Sequence, residues 1–208
     1  MNIFGRIFRG DKTTESSNRA IFITIIVFAS LSLLAAFTLS IEDYILLKDP
    51  NANLSCNVNA ILNCSSVMKT KEATVFGFPN SYLGMITEPV LITLAVGYLA
   101  GARYKRWFYV ATNIGSAIGS LFAYWLFFES LYNIQILCPW CLLVTVSTTI
   151  IFEAITRYNL RANNFGLPHA INSRVQGWLD RDYDKLVAAG WIALLTLLVF
   201  LKFPGLFS

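Results

Sequence analysis

The apolar positions of this chain fall in long unbroken runs, not in the spaced stripes of a helix that meets water on one face. Ala20 to Ile41 carries no charge and is closed by Glu42 and Asp43. A second run covers about Ser81 to Ala102 and is interrupted by Glu88-Pro89; a third, Trp107 to Phe128, is free of charge. A fourth covers about Asn133 to Phe152, and a shorter fifth covers Leu186 to Leu201. A helix rises about 1.5 Å per residue, so about 20 residues cross the roughly 30 Å hydrocarbon layer. The first run is longer than the roughly 7–15 apolar residues of a cleaved signal peptide, so it is predicted to be a retained helix. The fifth spans if Lys185 and Lys202 extend towards the interfaces. The pattern predicts an all-α integral membrane protein with five transmembrane helices. Residues 1–19 form a short polar, basic segment, 42–79 a long polar connection, 157–185 a second connection, and 186–208 the last helix and tail.

Composition and charge agree with this reading. Apolar residues make up 56% and charged residues 13%, whereas a soluble domain carries about a quarter charged. Side chains in that excess need lipid as a second apolar solvent. The net charge is +4, but the basic residues form short clusters between apolar runs and give no nucleic-acid signature. If the N-terminus is cytoplasmic and each run crosses once, twelve of the sixteen Lys and Arg fall inside (Arg6, Arg9, Lys12, Arg19, Arg103, Lys105, Arg106, Arg157, Arg161, Arg174, Arg181, Lys185). Lys48, Lys69, Lys71 and Lys202 fall outside, which is the bias of the positive-inside rule. This topology places the 42–79 connection and the start of the fourth helix on one side, the extracytoplasmic and oxidising one.

The chemistry resides in four cysteines, all on that side. Cys56 and Cys64 lie in the 42–79 connection; Cys138-Pro139-Trp140-Cys141 lies near the front of the uncharged run Ser130 to Phe152. Cysteines three apart on a helix share a face, so Cys138 and Cys141 can pair. Pro139 suits a first helical turn, where its missing N–H costs nothing. The positive end of a helix there favours a thiolate, which leaves more readily in exchange and makes the pair oxidising. Two structural disulfides, 56–64 and 138–141, are one alternative, although a four-residue ring removes little chain entropy. A four-thiolate zinc site is another, with spacings unlike a usual zinc knuckle. Covalent haem is excluded because Leu142 follows Cys141. A relay accounts for all four: one pair at membrane depth within reach of a lipid-soluble acceptor, the other in a loop within reach of a soluble dithiol protein.

The order Cys56-x7-Cys64, then Phe76-Gly77-Phe78-Pro79-Asn80-Ser81-x-x-Gly84, then Cys138-Pro-Trp-Cys141 resembles the vitamin K epoxide reductase (VKOR) family over about residues 20–156. It is most similar to bacterial members that reoxidise DsbA-like proteins; DsbB has its Cys-x-x-Cys before the loop pair. A fifth helix with no fused thioredoxin domain resembles actinobacterial members, whose partner is a separate thioredoxin-fold protein. The resemblance implies a four-helix bundle over 20–156 around a quinone, menaquinone or ubiquinone, capped by the 42–79 loop. It implies that Cys138 and Cys141 are the catalytic pair, with Cys141 facing the quinone, and that Cys56 and Cys64 are the shuttle pair. A reduced partner would attack Cys56, releasing Cys64 to attack Cys138. It also implies that Asn80 hydrogen-bonds a quinone oxygen and that the Thr70 hydroxyl lies near the relay. Animal members carry tyrosine where this chain has Thr145, which counts against epoxide reduction but not against quinone reduction.

Other positions invite narrower expectations. Glu88 within a span is a functional candidate by default, either as a proton relay to the quinone or as a hydrogen-bond partner of Asn113 or a small-residue helix face. Phe76, Leu83 and Trp140 are candidates for the quinone wall, although aromatics near an interface also serve as anchors. Gly97-x-x-x-Gly101 and Gly115-x-x-x-Gly119 read as helix-packing faces. Residues 170–185 look amphipathic around Trp178 and suit the cytoplasmic interface. His169, beside Pro168, reads as a surface residue.

Overall fold

The computed structural model describes the backbone of residues 3–205 and side chains from Ser16 to Gly205. The side chains of Arg6, Arg9 and Lys12, and residues 206–208 of the expected tail, lie outside the described residues. The first element, α1, is one helix from Ile3–Lys48. No proline lies between the polar start and the apolar run, so the helix continues through 3–19 instead of starting afresh at Ala20. It ends where Asp49 precedes Pro50, a position that disfavours helical backbone.

Beyond it come a short helix α2 (Cys64–Met68), a 3-10 turn (Lys71–Thr74), and the helices α3 (Ser81–Leu99), α4 (Arg106–Phe128), α5 (Pro139–Arg161), α6 (His169–Leu179) and α7 (Tyr183–Lys202). Among the described residues five stretches are long and apolar enough to cross a membrane: Ser16–Lys48, Ser81–Leu99, Arg106–Ile134, Pro139–Arg161 and Tyr183–Lys202. The all-α, multi-pass membrane architecture read from the hydrophobic runs is therefore the observed one.

The fourth run differs at both of its boundaries. The fourth run was expected to turn helical at about Asn133, but Glu129–Ile134 is a widened final turn of α4, closed by Gln135 in the left-handed conformation. Helix α5 begins only at Pro139 and runs well past Phe152 to Arg161. It passes Arg157 because that charge is buried and paired: its guanidinium donates to both Asp184 oxygens at 2.6 Å and to Asp182 at 2.6 Å. These bonds tie the start of α7 to α5. Lys185 and Arg157 hold the Asp182 carboxyl below its ordinary range. His169 is exposed at the start of α6, and Leu179 at its end is fully buried.

Helix α1 packs most extensively on α3 and α5, and α5 also packs on α4. Gly84 permits the first contact: a Cβ there would come 2.8 Å from the Ala36 Cβ. At one end of the bundle Phe22 stacks on Tyr98 with centroids 3.7 Å apart, and Tyr158 meets Phe22 edge-on at 4.8 Å. Ile25, Ala29, Ala95 and Ala154 close that core. The four cysteines occupy the opposite end.

Candidate functional site

The polar connection is drawn onto the bundle by backbone pairing that its composition does not reveal. Leu137 donates its N–H to the Ile61 carbonyl at 2.7 Å, and Asn63 donates to the Leu137 carbonyl at 2.9 Å. This lone bridge, Leu62 with Leu137, joins the two residues next but one to Cys64 and next to Cys138. Asn63 then caps α2, its side chain accepting from the Ser66 N–H. Around the same turn Asn57 donates to the Ser65 hydroxyl at 2.7 Å and accepts from the Ser65 N–H at 3.1 Å.

The sulfurs meet as a result. Cys56 and Cys64 form a disulfide, Cα–Cα 5.7 Å. The Cys64 sulfur stands 3.6 Å from that of Cys138. Cys138 is the extended cap residue of α5, outside the helix, and its sulfur accepts the Cys141 N–H at 3.2 Å. Pro139 follows in the first turn, as expected. Cys138 and Cys141 are both thiols here. Leu39, Leu46 and Leu54 wrap the cluster, with Val67, Met68 and Trp140 packed against it. In the disulfide neither Cys56 nor Cys64 is a thiolate, so a four-thiolate metal site would require that bond to open.

Beside this cluster lies a mostly apolar cavity of about 500 Å³. Cys138, Cys141, Thr70, Phe76, Asn80, Leu83 and Glu88 all border it, whereas Trp140 does not and packs instead among the cysteines. Two buried polar atoms on its wall have no hydrogen-bond partner among the described residues: Oδ1 of Asn80 and Oε2 of Glu88. The Asn80 amide donates to the Glu72 carbonyl at 2.6 Å. Glu88 accepts from Ser32 at 2.7 Å, not from Asn113, whose amide donates to Thr156. Thr70 spends its hydroxyl proton on the Val67 carbonyl at 2.8 Å.

Ser32, Thr145 and two glycines complete the wall. Ser32 was hidden in an uncharged run, and Thr145 donates to the Cys141 carbonyl at 2.9 Å. Gly115 and Gly119, read as a packing face, have nothing within 4 Å of a built Cβ and border the cavity. Their smallness leaves space; it does not bring helices together. Gly97 instead makes room for the Tyr104 hydroxyl, and Gly101 turns the chain after α3 with φ +96°.

A ligand of this cavity meets apolar walls, unpaired polar atoms on α3 and its cap, and a thiol at the rim. The unpaired atoms are oxygens, and an amide oxygen only accepts, so those features fit an apolar molecule bearing hydrogen-bond donors such as hydroxyls. No curated protein matches the sequence. The model of the vitamin K epoxide reductase family matches residues 23–156.

Proposed function

The chain belongs to the vitamin K epoxide reductase family of membrane thiol oxidoreductases, and on that premise we propose that it oxidises a secreted DsbA-like, thioredoxin-fold protein and passes the electrons to a membrane quinone. The observation that carries this reading is the 3.6 Å approach of the Cys64 and Cys138 sulfurs. Disulfide exchange requires one sulfur to attack another, and here one atom of each pair is already in contact.

In the proposed sequence a reduced partner attacks Cys56 and Cys64 leaves as thiolate. Cys64 attacks Cys138 of a Cys138–Cys141 disulfide, and Cys141 leaves with the electron pair, facing the cavity. The partner's second thiol displaces Cys56 and leaves the partner oxidised; Cys56 then closes on Cys64 and frees Cys138, and the disulfide and two thiols seen here are what remains. A quinone, menaquinone or ubiquinone, supplies an acceptor for two electrons and two protons when bound. Asn80, Phe76 and Leu83 orient the ring, Thr70 borders it, and Glu88 carries a proton at its unpaired oxygen. The positive-inside bias supports an N-terminus in the cytoplasm and a cysteine end outside. In this reading 20–156 is the catalytic bundle with its loop 42–79, 1–19 and 157–185 are cytoplasmic, and 186–208 adds the fifth span.

Anaerobic incubation of the purified protein with a reduced thioredoxin-fold donor and quinone tests the reading, with quinol formation as the readout. Cys138→Ala or Cys141→Ala abolishes it. Cys56→Ala and Cys64→Ala lose the protein donor and retain turnover with small thiols. Normal quinol formation by Cys141→Ala refutes the relay.

A further inference from the structure

Glu42 is the last buried carboxylate of α1, and it faces the shuttle disulfide. It is 5% exposed. Oε1 accepts the Ser55 hydroxyl proton at 2.6 Å, and Oε2 stands 3.0 Å from the Cys56 sulfur. The groups set against it are thus the Ser55 hydroxyl and the sulfurs of Cys56 and Cys64, whose ligating atoms all lie within 4.8 Å of its own. Among the described residues no cation pairs with it; the ion pairs there belong to Arg157 and Lys185. A buried carboxylate is costly unless its site satisfies it or shares a proton with it. A disulfide sulfur has no hydrogen to offer, but a reduced Cys56 has one, at the place where Oε2 already waits.

We infer that Glu42 is the base that deprotonates Cys56 when the shuttle disulfide closes. The inference rests on the relay proposed above and concerns its internal step alone. Cys56 attacks Cys64 within a Cys64–Cys138 disulfide. The S–H bond of Cys56 breaks and its proton passes to Oε2 of Glu42. The Cys56–Cys64 bond forms, the Cys64–Cys138 bond breaks, and Cys138 leaves with the electron pair as thiolate. One disulfide replaces another, so no outside oxidant or reductant enters. The observed arrangement corresponds to the products: a closed Cys56–Cys64 bond, Cys138 beside Cys64, and the carboxyl against Cys56. The protonated carboxyl then returns its proton to Cys56 when the partner's second thiol displaces it.

The test needs neither quinone nor partner. In Cys141→Ala protein a pyridyl disulfide forms the Cys64–Cys138 bond at about pH 4, where protonated thiols exchange slowly. After a jump to about pH 7, acid-quenched samples are mapped by non-reducing peptide mass analysis as the bond moves to Cys56–Cys64. Adding Glu42→Gln slows this transfer about 10²-fold, and the rate recovers as pH rises towards about 8.5, where a free thiol ionises unaided. An unchanged rate at neutral pH overturns the inference, and so does a slowed rate that raising the pH does not restore. Should Glu42→Gln not fold, Glu42→Asp carries the test: retracting the carboxylate by one methylene slows transfer about tenfold, and an unchanged rate overturns it. Failure of the wild type to reduce quinone would sink the relay's endpoints while leaving this exchange rate measurable.

Discussion

The two ends of the bundle solve opposite problems with the same helices. At one end α1, α3, α4 and α5 meet through Phe22, Tyr98, Tyr109 and Tyr158, with Ala29 and Ala95 fully buried beside them. At the other, the same helices part around a cavity of about 500 Å³ and a cluster of sulfurs. Ser32 and Glu88 mark the boundary: one turn along α1 from Ala29, Ser32 already borders the cavity. Between helices in lipid the driving force is packing, because the solvent is as apolar as the side chains. A filled end can therefore hold the helices while an unfilled end keeps room for a ligand. The closed end acts as the clamp, and the open end carries the chemistry.

The largest effect should come from filling the open end. Gly119→Leu places a side chain where nothing lies within 4 Å of the Cβ, so the fold accepts it and helix propensity improves by up to about 1 kcal/mol. Quinol formation at subsaturating quinone should fall about 10²-fold or more while thermal stability holds. A variant with normal turnover would separate the cavity from the reaction.

Emptying the closed end should do the reverse. Phe22→Ala removes a ring that is 1% exposed. In a soluble core this costs about 3–5 kcal/mol; in lipid the transfer part largely drops out, and about 1–3 kcal/mol of packing remains. Unfolding in detergent should shift accordingly, with the quinone KM unchanged. A raised KM at intact stability would show that the two ends are not separable.

The smallest effect is expected at the boundary. Glu88→Gln keeps the shape and the Ser32 partner but removes the acid, so turnover should fall several-fold, less than the roughly 10²–10⁴ typical of direct proton transfer, and its pH dependence should flatten. Normal turnover across pH would remove the proton role and leave Glu88 as a hydrogen-bond partner of α1.

Much of this organisation was legible from residue order. Runs such as Ala20 to Ile41 and Trp107 to Phe128 lie within helices long enough to span, and the motif from Phe76 to Gly84 lies within the residues that the family model covers, 23–156. Cys138 as a cap followed by Pro139 was half visible: proline announced the helix start, but the uncharged run masked the six residues before it, which close α4 or lead into α5. Gly115 and Gly119 were misread because a small residue looks the same in sequence whether a helix or a void lies opposite it. Glu42 marked only the end of an apolar run, since nothing in its spacing points to Cys56, fourteen residues away.

Residue order alone marked the chain as a multi-pass membrane protein and showed where its apolar runs lie and where its four cysteines fall along it. Lipid imposes conditions on length and charge along each segment, and those are readable one segment at a time. Only the tertiary structure decided which sulfur faces which, where the cavity opens, and which carboxylate meets the shuttle. Those depend on distances between segments far apart in the chain: the Leu62–Leu137 bridge draws Cys64 to 3.6 Å from Cys138 across a separation of 74 residues.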